Sequence, residues 1–137
     1  MSRVIRTGSA STERNRLKKA LVLAIRELMK QSEPNETSRD LIAFILLCLE
    51  RITETVEESA EAWEKRGYWL KADHFRMEWE WARLLAERIR PNVLTENYNK
   101  IIPDLIELSQ SLNDVTISDN HRLGTPWLGA WDQLHKK

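Results

Sequence analysis

The sequence predicts an all-α fold, an antiparallel four-helix bundle with a short additional C-terminal helix. Apolar residues recur at steps of three and four over most of the 137 residues. The chain holds only four Gly and four Pro, which is few for the many turns of an all-β protein. Its hydrophobic fraction of 42% and charged fraction of 31% are typical of a globular domain. One helical domain is therefore expected over residues 11–137.

The first helix is expected to start at Ser11 or Thr12, because either hydroxyl can cap a helix N-terminus. Residues 1–10 are polar and basic without periodicity, which predicts a flexible N-terminal arm. The helix then presents one apolar face, made by Leu17, Leu21, Ala24, Ile25 and Leu28.

The second helix is expected to open at Thr37, with Asp40 completing a capping box. Its first half, LIAFILLCL over residues 41–49, is apolar all round, which predicts burial on every side. This run is about half the length of a bilayer span, so no membrane association is expected. Gly67 suits the left-handed position after a helix end and favours a helical hairpin there. The alternative is one uninterrupted helix from Thr37 to Arg90.

The third helix is expected to end at Arg90 because Pro91 follows. A fourth helix should begin near Thr95, and Pro103 either kinks it or starts a new helix. Residues 113–124 are expected to form a loop. Thr125 and Pro126 then favour a short terminal helix, with one side made by Trp127, Ala130, Trp131 and Leu134.

Net charge is zero, but the charges are segregated along the chain. Residues 1–30 hold eight Lys or Arg against two Glu, and residues 31–64 hold nine acidic residues against two Arg. Opposite blocks in consecutive segments predict that the first two helices attract each other.

The third helix carries three of the six tryptophans and two apolar flanks. A ladder of alternating charge is expected to face water, formed by Asp73, Arg76, Glu80, Arg83, Glu87 and Arg90. One flank holds Leu70, Met77, Trp81 and Leu84, and the other holds Tyr68, Phe75, Trp79, Ala82 and Ala86. Because exposed rings are costly, the helix is expected to lie between two protein layers.

These flanks favour a non-enzymatic interaction module that forms a homo-oligomer, specifically a homodimer, or binds another protein. Trp127 and Trp131 are four residues apart and could dock on the same chain, on a twin subunit or on another protein. The candidate interface residues are therefore Trp69, Phe75, Trp79, Trp81, Trp127 and Trp131.

A thin polar seam of Lys71, His74 and Glu78 separates the two flanks. His74 and Glu78 are four residues apart, a spacing at which two helical side chains can share a proton or a metal ion. The simpler interpretation is that they hydrogen-bond each other or a partner and stay partly wet.

The string EESAE, with Glu57, Glu58 and Glu61, matches the pattern EExxE. It resembles the first half of the magnesium site in all-α nucleotide pyrophosphatases of the MazG and dUTPase type. That resemblance implies a metal-dependent hydrolase with Mg²⁺ as cofactor, with Glu78 and His74 as further candidates. The second half of the pattern, ExxD, is missing, because Glu78 and Glu80 are followed three residues later by Trp81 and Arg83.

Other site classes have little support. The basic stretch RNRLKK, residues 14–19, has no interleaved aromatic residue, so no nucleic-acid partner is expected. It is expected to form a solvated helix face opposite the acidic second helix. The single cysteine, Cys48, lies inside the most apolar run and is expected to be a buried thiol in a cytoplasmic protein. No cofactor is expected for the interaction module.

Overall fold

The computed structural model describes residues 3–136, and every regular element in that range is a helix. The prediction of an all-helical fold is confirmed. Six helices pack together: α1 Arg3–Met29, α2 Glu36–Lys65, α3 Trp69–Glu78, α4 Glu80–Leu94, α5 Tyr98–Ser111 and α6 Ala130–Leu134.

Helix α1 begins earlier than predicted. It starts at Arg3 rather than at Ser11 or Thr12, and Ala10 is buried. Residues 3–10 contain no proline, so each further residue can add a hydrogen bond to a helix that is already nucleated. Residues 1 and 2 lie outside the described residues, and the flexibility of the arm stays a prediction.

Helix α2 is capped by residues other than those predicted. The Ser38 backbone N–H donates to Asn35 Oδ1 at 2.8 Å, and the Asn35 N–H donates to Ser38 Oγ at 2.7 Å. The capping box is therefore formed by Asn35 and Ser38, and the prediction of a capping box formed by Thr37 and Asp40 is wrong. An Asn that precedes the helix satisfies the first free N–H groups, which leaves the Asp40 carboxylate free for another element.

The predicted hairpin at Gly67 is confirmed. The Tyr68 N–H donates to the Trp63 carbonyl, and the Gly67 N–H donates to the Glu64 carbonyl, both at 2.9 Å. Gly67 has a φ of +86°. These two bonds and the left-handed residue make a Schellman motif, which ends α2 and reverses the chain.

The third predicted helix is interrupted at Trp79 and passes through Pro91. The Trp79 N–H is shared between the carbonyls of Phe75 and Arg76, and the Ala82 N–H donates back only three residues. This tight turn separates α3 from α4. Pro91 does not end the helix at Arg90, because in the last turn it removes a single N–H donor, and α4 continues to Leu94.

Helix α4 also ends in a Schellman motif, but without glycine. Glu96 takes the left-handed position with a φ of +56°, and the Asn97 N–H donates to the Asn92 carbonyl at 2.8 Å. Helix α5 follows from Tyr98 and contains Pro103 inside it without a new start.

The terminal helix is shorter than the pattern predicts. Residues 126–129 form turns, and α6 begins at Ala130. Gly129 has a φ of +79°, so helical geometry cannot run unbroken from Pro126. Residues 112–129 connect α5 to α6.

Helix α2 is the centre of the molecule. It packs against α1, α3, α4 and α6, while α5 packs on α4 and α1. The predicted burial of its first half is confirmed, since Leu41, Ile42, Ala43, Ile45, Leu46, Cys48 and Leu49 are all buried. Over residues 3–136, no helix is long and apolar enough to cross a bilayer.

Among the described ion pairs, three glutamates of α2 bind arginines of α3 and α4, and two bind Arg51 of α2 itself. Arg76 contacts Glu64 at 2.6 Å, and Arg90 contacts Glu50. Across the α1–α2 contact the signs are reversed, because the α2 residue Arg51 binds Glu13 of α1 at 2.8 Å. Helices α1 and α2 pack on each other, and the expected attraction between their opposite charges, within one chain or between two, stays a prediction.

Candidate docking surface on α3 and α4

Four aromatic rings form a chain along α2, α3 and α4. Trp63 and Phe75 meet edge to face with their centroids 4.9 Å apart, and Trp79 stacks on Trp81 at 5.8 Å. We expected Trp79 and Trp81 on opposite flanks, since residues two apart on a regular helix point away from each other. The turn at Trp79 breaks that geometry and brings the two rings together.

Helix α1 covers the inner side of this aromatic chain with cations. The Arg14 guanidinium lies 4.9 Å from the Phe75 ring centroid and 5.5 Å from that of Trp79. Lys18 Nζ lies 5.4 Å from the Trp79 centroid. Cations at these distances are attracted to ring faces. The basic stretch of α1 therefore takes part in packing.

Arg14 is 7% exposed, and its guanidinium donates to the Thr55 carbonyl at 3.2 Å and to the Thr55 hydroxyl at 3.3 Å. Burial lowers the pKa of Arg14 from its ordinary value, because a charged group loses hydration there. We expected Arg14 on a solvated helix face. Helical periodicity does not predict the burial of Arg14, because a long polar side chain can cover apolar surface while its guanidinium donates to neutral acceptors.

Two of the three EExxE carboxylates, those of Glu57 and Glu58, are held by arginines, and Glu61 is exposed. Arg76 donates to both carboxylate oxygens of Glu57, at 3.0 and 2.7 Å, and Arg51 contacts Glu58 at 3.3 Å. The hydrogen bond from Arg76 lowers the pKa of Glu57. Within residues 3–136, no group of three or more His, Cys, Asp or Glu side chains is arranged to hold a metal ion. The carboxylates of Glu57 and Glu58 therefore serve as ion-pair partners in this arrangement.

The ion-pair ladder of the third helix is divided between solvent and α2. Arg83 pairs with Glu80 and, at 2.8 Å, with Glu87 on its own helix. Arg76 and Arg90 instead reach across to α2. The ladder therefore faces water only in part, whereas the sequence predicted that all of it would, because Arg76 and Arg90 bind glutamates of α2.

A small cleft of about 90 Å³ opens between α2 and the helices α3 and α4. Thr53, Val56, Glu57, Arg76, Trp79, Glu80 and Arg83 line it. Ligand pockets usually have several hundred Å³, and the charged groups here are already paired with one another. The cleft is therefore a gap between packed helices.

The polar seam is exposed. Lys71, His74 and Glu78 all face solvent, and the Lys71 ammonium lies 4.6 Å from the Trp63 ring centroid. Among the hydrogen bonds of the described residues, none joins His74 to Glu78. The expected contact between them is therefore not formed within this chain.

One apolar flank of α3 and α4 lies open, on the side away from the core. Leu70 is 69% exposed, Met77 72% and Leu84 42%. Trp81, which the sequence pattern placed on this flank, is instead partly buried against the core, because the turn at Trp79 brings it beside the Trp79 ring. Trp69 is 64% exposed. We call the exposed side chains of Leu70, Met77 and Leu84 the outer face. The other flank packs inward through Ala82, Ala86 and the partly buried Phe75 and Trp79.

The terminal tryptophans dock on their own chain. Trp127 is buried, and Trp131 packs partly buried against the core. The Asp40 carboxylate accepts the backbone N–H groups of Gly129 at 3.1 Å and Trp131 at 2.9 Å. Asp40 therefore joins α2 to the terminal segment, a contact that the capping-box interpretation missed.

The comparisons with known proteins add no relative: no family model, curated protein or solved structure matches the chain.

Proposed function

We propose that the protein is a non-enzymatic interaction module that forms a homodimer through the outer face of α3 and α4. The observation that carries the proposal is the open apolar flank, on which Leu70, Met77 and Leu84 repeat every seven residues. Exposed apolar side chains are costly in water, and several on one flank mark an interaction site.

The spacing favours a second copy as the occupant. Leu70 and Leu84 each lie seven residues from Met77, one before it and one after it. In a two-fold symmetric contact, residue i of one copy meets residue j of the other and the reverse. An antiparallel pairing centred on Met77 therefore places Met77 against Met77 and Leu70 against Leu84.

The length of the outer face limits the strength of this dimer. The face is limited to the fourteen-residue step from Leu70 to Leu84, about 21 Å at 1.5 Å per helical residue, and the turn at Trp79 interrupts it. Stable interfaces bury about 800 Å² on each partner, and one short helical flank supplies less than that. The dimer is therefore expected to be weak and to dissociate on dilution.

Two finer features belong to the same proposal. Helices α1, α2 and α5, with α3 and α4 acting as one arm, would form the antiparallel four-helix bundle, which the reversed order of the Glu50–Arg90 and Glu64–Arg76 pairs supports. A cytoplasmic location is supported by the cysteine content, since the single cysteine, Cys48, can form no disulfide within the chain.

Sedimentation equilibrium over a concentration series tests the proposal. The wild type should dimerise, and Met77→Lys should not, because two like charges would face each other on the symmetry axis. Met29→Lys is the matched control, since Met29 is 79% exposed at the end of α1 and should leave the dimer unchanged.

A mixture of variants tests the symmetry itself. Met77→Lys and Met77→Asp should each be monomeric alone and should associate when mixed, because opposite charges would then meet at the centre. A wild type that stays monomeric at every concentration, or a Met77→Lys variant that dimerises normally, would contradict the proposal.

A further inference from the structure

The C-terminal segment is attached to the domain by very few polar contacts. In the described part of the chain, every hydrogen bond made by residues 116–136 stays within that segment except two. Both exceptions end on one carboxylate, that of Asp40. The segment is thus fastened at a single polar point, beyond a connection of eighteen residues.

The apolar side of the segment completes the attachment. Trp127, Ala130 and Leu134 are buried in the common core, and α6 packs on α2. We call residues 127–135 the hook. Its apolar residues rest on the same domain core as the first half of α2.

The surface of α2 is electrostatically matched to the hook. Asp40 accepts the two backbone N–H groups, and the neighbouring Arg39 places its guanidinium 5.1 Å from the Trp131 ring centroid. A carboxylate suits free N–H groups at the start of a helix, and a guanidinium suits the face of an indole ring. Together, Arg39 and Asp40 recognise one tryptophan-bearing turn.

The length of the connection permits another arrangement. Connections longer than about 12 to 15 residues without regular structure are uncommon in compact domains. Once Val115, Ile117 and Leu123 leave the core against which they are partly buried, the fifteen residues 112–126 can span several tens of Å when extended. They can therefore deliver the hook to its own α2 or to the α2 of a neighbouring copy, with the same contacts in both cases.

We infer that the hook is a detachable docking peptide, and that the site on α2 marked by Arg39 and Asp40 accepts the hook of a second copy of this chain. This site is separate from the outer face, so Met77→Lys leaves it intact. If the hook of a second copy does not bind, the outer-face dimer is unaffected. If the outer-face dimer does not form, the inference about the hook is unaffected.

Peptide binding to the full chain tests the inference. The probe is a fluorescein-labelled peptide of residues 124–136, and the receptor is a Trp127→Ala, Leu134→Ala double variant whose own hook is weakened. A tethered hook competes at an effective concentration near millimolar, so the peptide should bind the double variant at least tenfold more tightly than the wild type. Adding Asp40→Ala to the double variant should abolish binding.

The control is Leu128→Ala, which alters an exposed side chain of the hook and should behave as the wild type. Equal peptide binding by the wild type and the double variant, or no binding by the double variant, would overturn the inference.

Amide hydrogen exchange on the wild type tests whether the hook detaches from α2, even if the double variant fails to fold. The amides of Gly129 and Trp131 should exchange through a local opening, well before the amides in the first half of α2. If they exchange only when α2 does, the hook leaves solely on global unfolding, and the inference is wrong.

Discussion

The aromatic chain makes a quantitative prediction, because Trp79 and Trp69 are the same residue type in opposite environments. Trp79 is partly buried, stacks on Trp81 and is approached by two cations, Arg14 and Lys18. Trp69, the first residue of α3, is 64% exposed. The substitutions Trp79→Ala and Trp69→Ala therefore remove the same side chain from a partly buried and from an exposed position.

The expected cost of Trp79→Ala is about 3 kcal/mol. Removing a fully buried ring costs roughly 3 to 5 kcal/mol, and partial burial places Trp79 at the lower end. Ring stacking adds about 0.5 to 1.5 kcal/mol, and loss of the ring leaves the buried Arg14 with fewer partners. Trp69→Ala should cost less than about 1 kcal/mol, as exposed substitutions usually do.

Urea denaturation followed by circular dichroism measures both costs. With an m-value of about 2 kcal/mol/M, the Trp79→Ala midpoint should fall by about 1.5 M. Dilute protein keeps self-association from contributing to the free energy of unfolding. If Trp79→Ala melts within error of the wild type, or if Trp69→Ala falls equally far, the assignment of the inner and outer flanks is wrong.

Two further predictions concern ion pairing and backbone geometry. Arg76 lowers the pKa of its two α2 glutamates below the ordinary 4.5, so it contributes stability that is present above that pH and is lost as the pH falls through the lowered values. Thermal melts between about pH 7 and pH 3 should thus show a smaller acid-induced loss in Arg76→Met than in the wild type. Gly67→Ala should destabilise the fold by about 1 kcal/mol, because alanine is strained at positive φ, and Glu96→Gly should stabilise it by up to about 1 kcal/mol at the equivalent position of α4. Urea midpoints that move in the same direction for both variants would contradict the Schellman assignment.

Much of the local structure could be predicted from the sequence alone. Helical periodicity, the apolar first half of α2 and the glycine at Gly67 depend on neighbours a few residues away, and the structure confirms what they predict. Docking of Trp127 and Trp131 on the same chain was one of three alternatives, and the structure forms it. Caps were less predictable, because Asn35 and Thr37 both offer a suitable side chain and only the path of the turn selects one.

The tertiary structure decided which groups meet across helices. Periodicity defines the two flanks of α3 and α4, but it does not say which flank a neighbouring helix covers, and the pairing of Arg76 with Glu57 depends on the register between two helices. Arg14 and Asp40 show the same limit, since their partners lie 41 and about 90 residues away. Local sequence determines the turns and faces of each helix because those interactions span about four residues, whereas ion pairs, cation–π contacts and hook docking follow from packing over the whole chain.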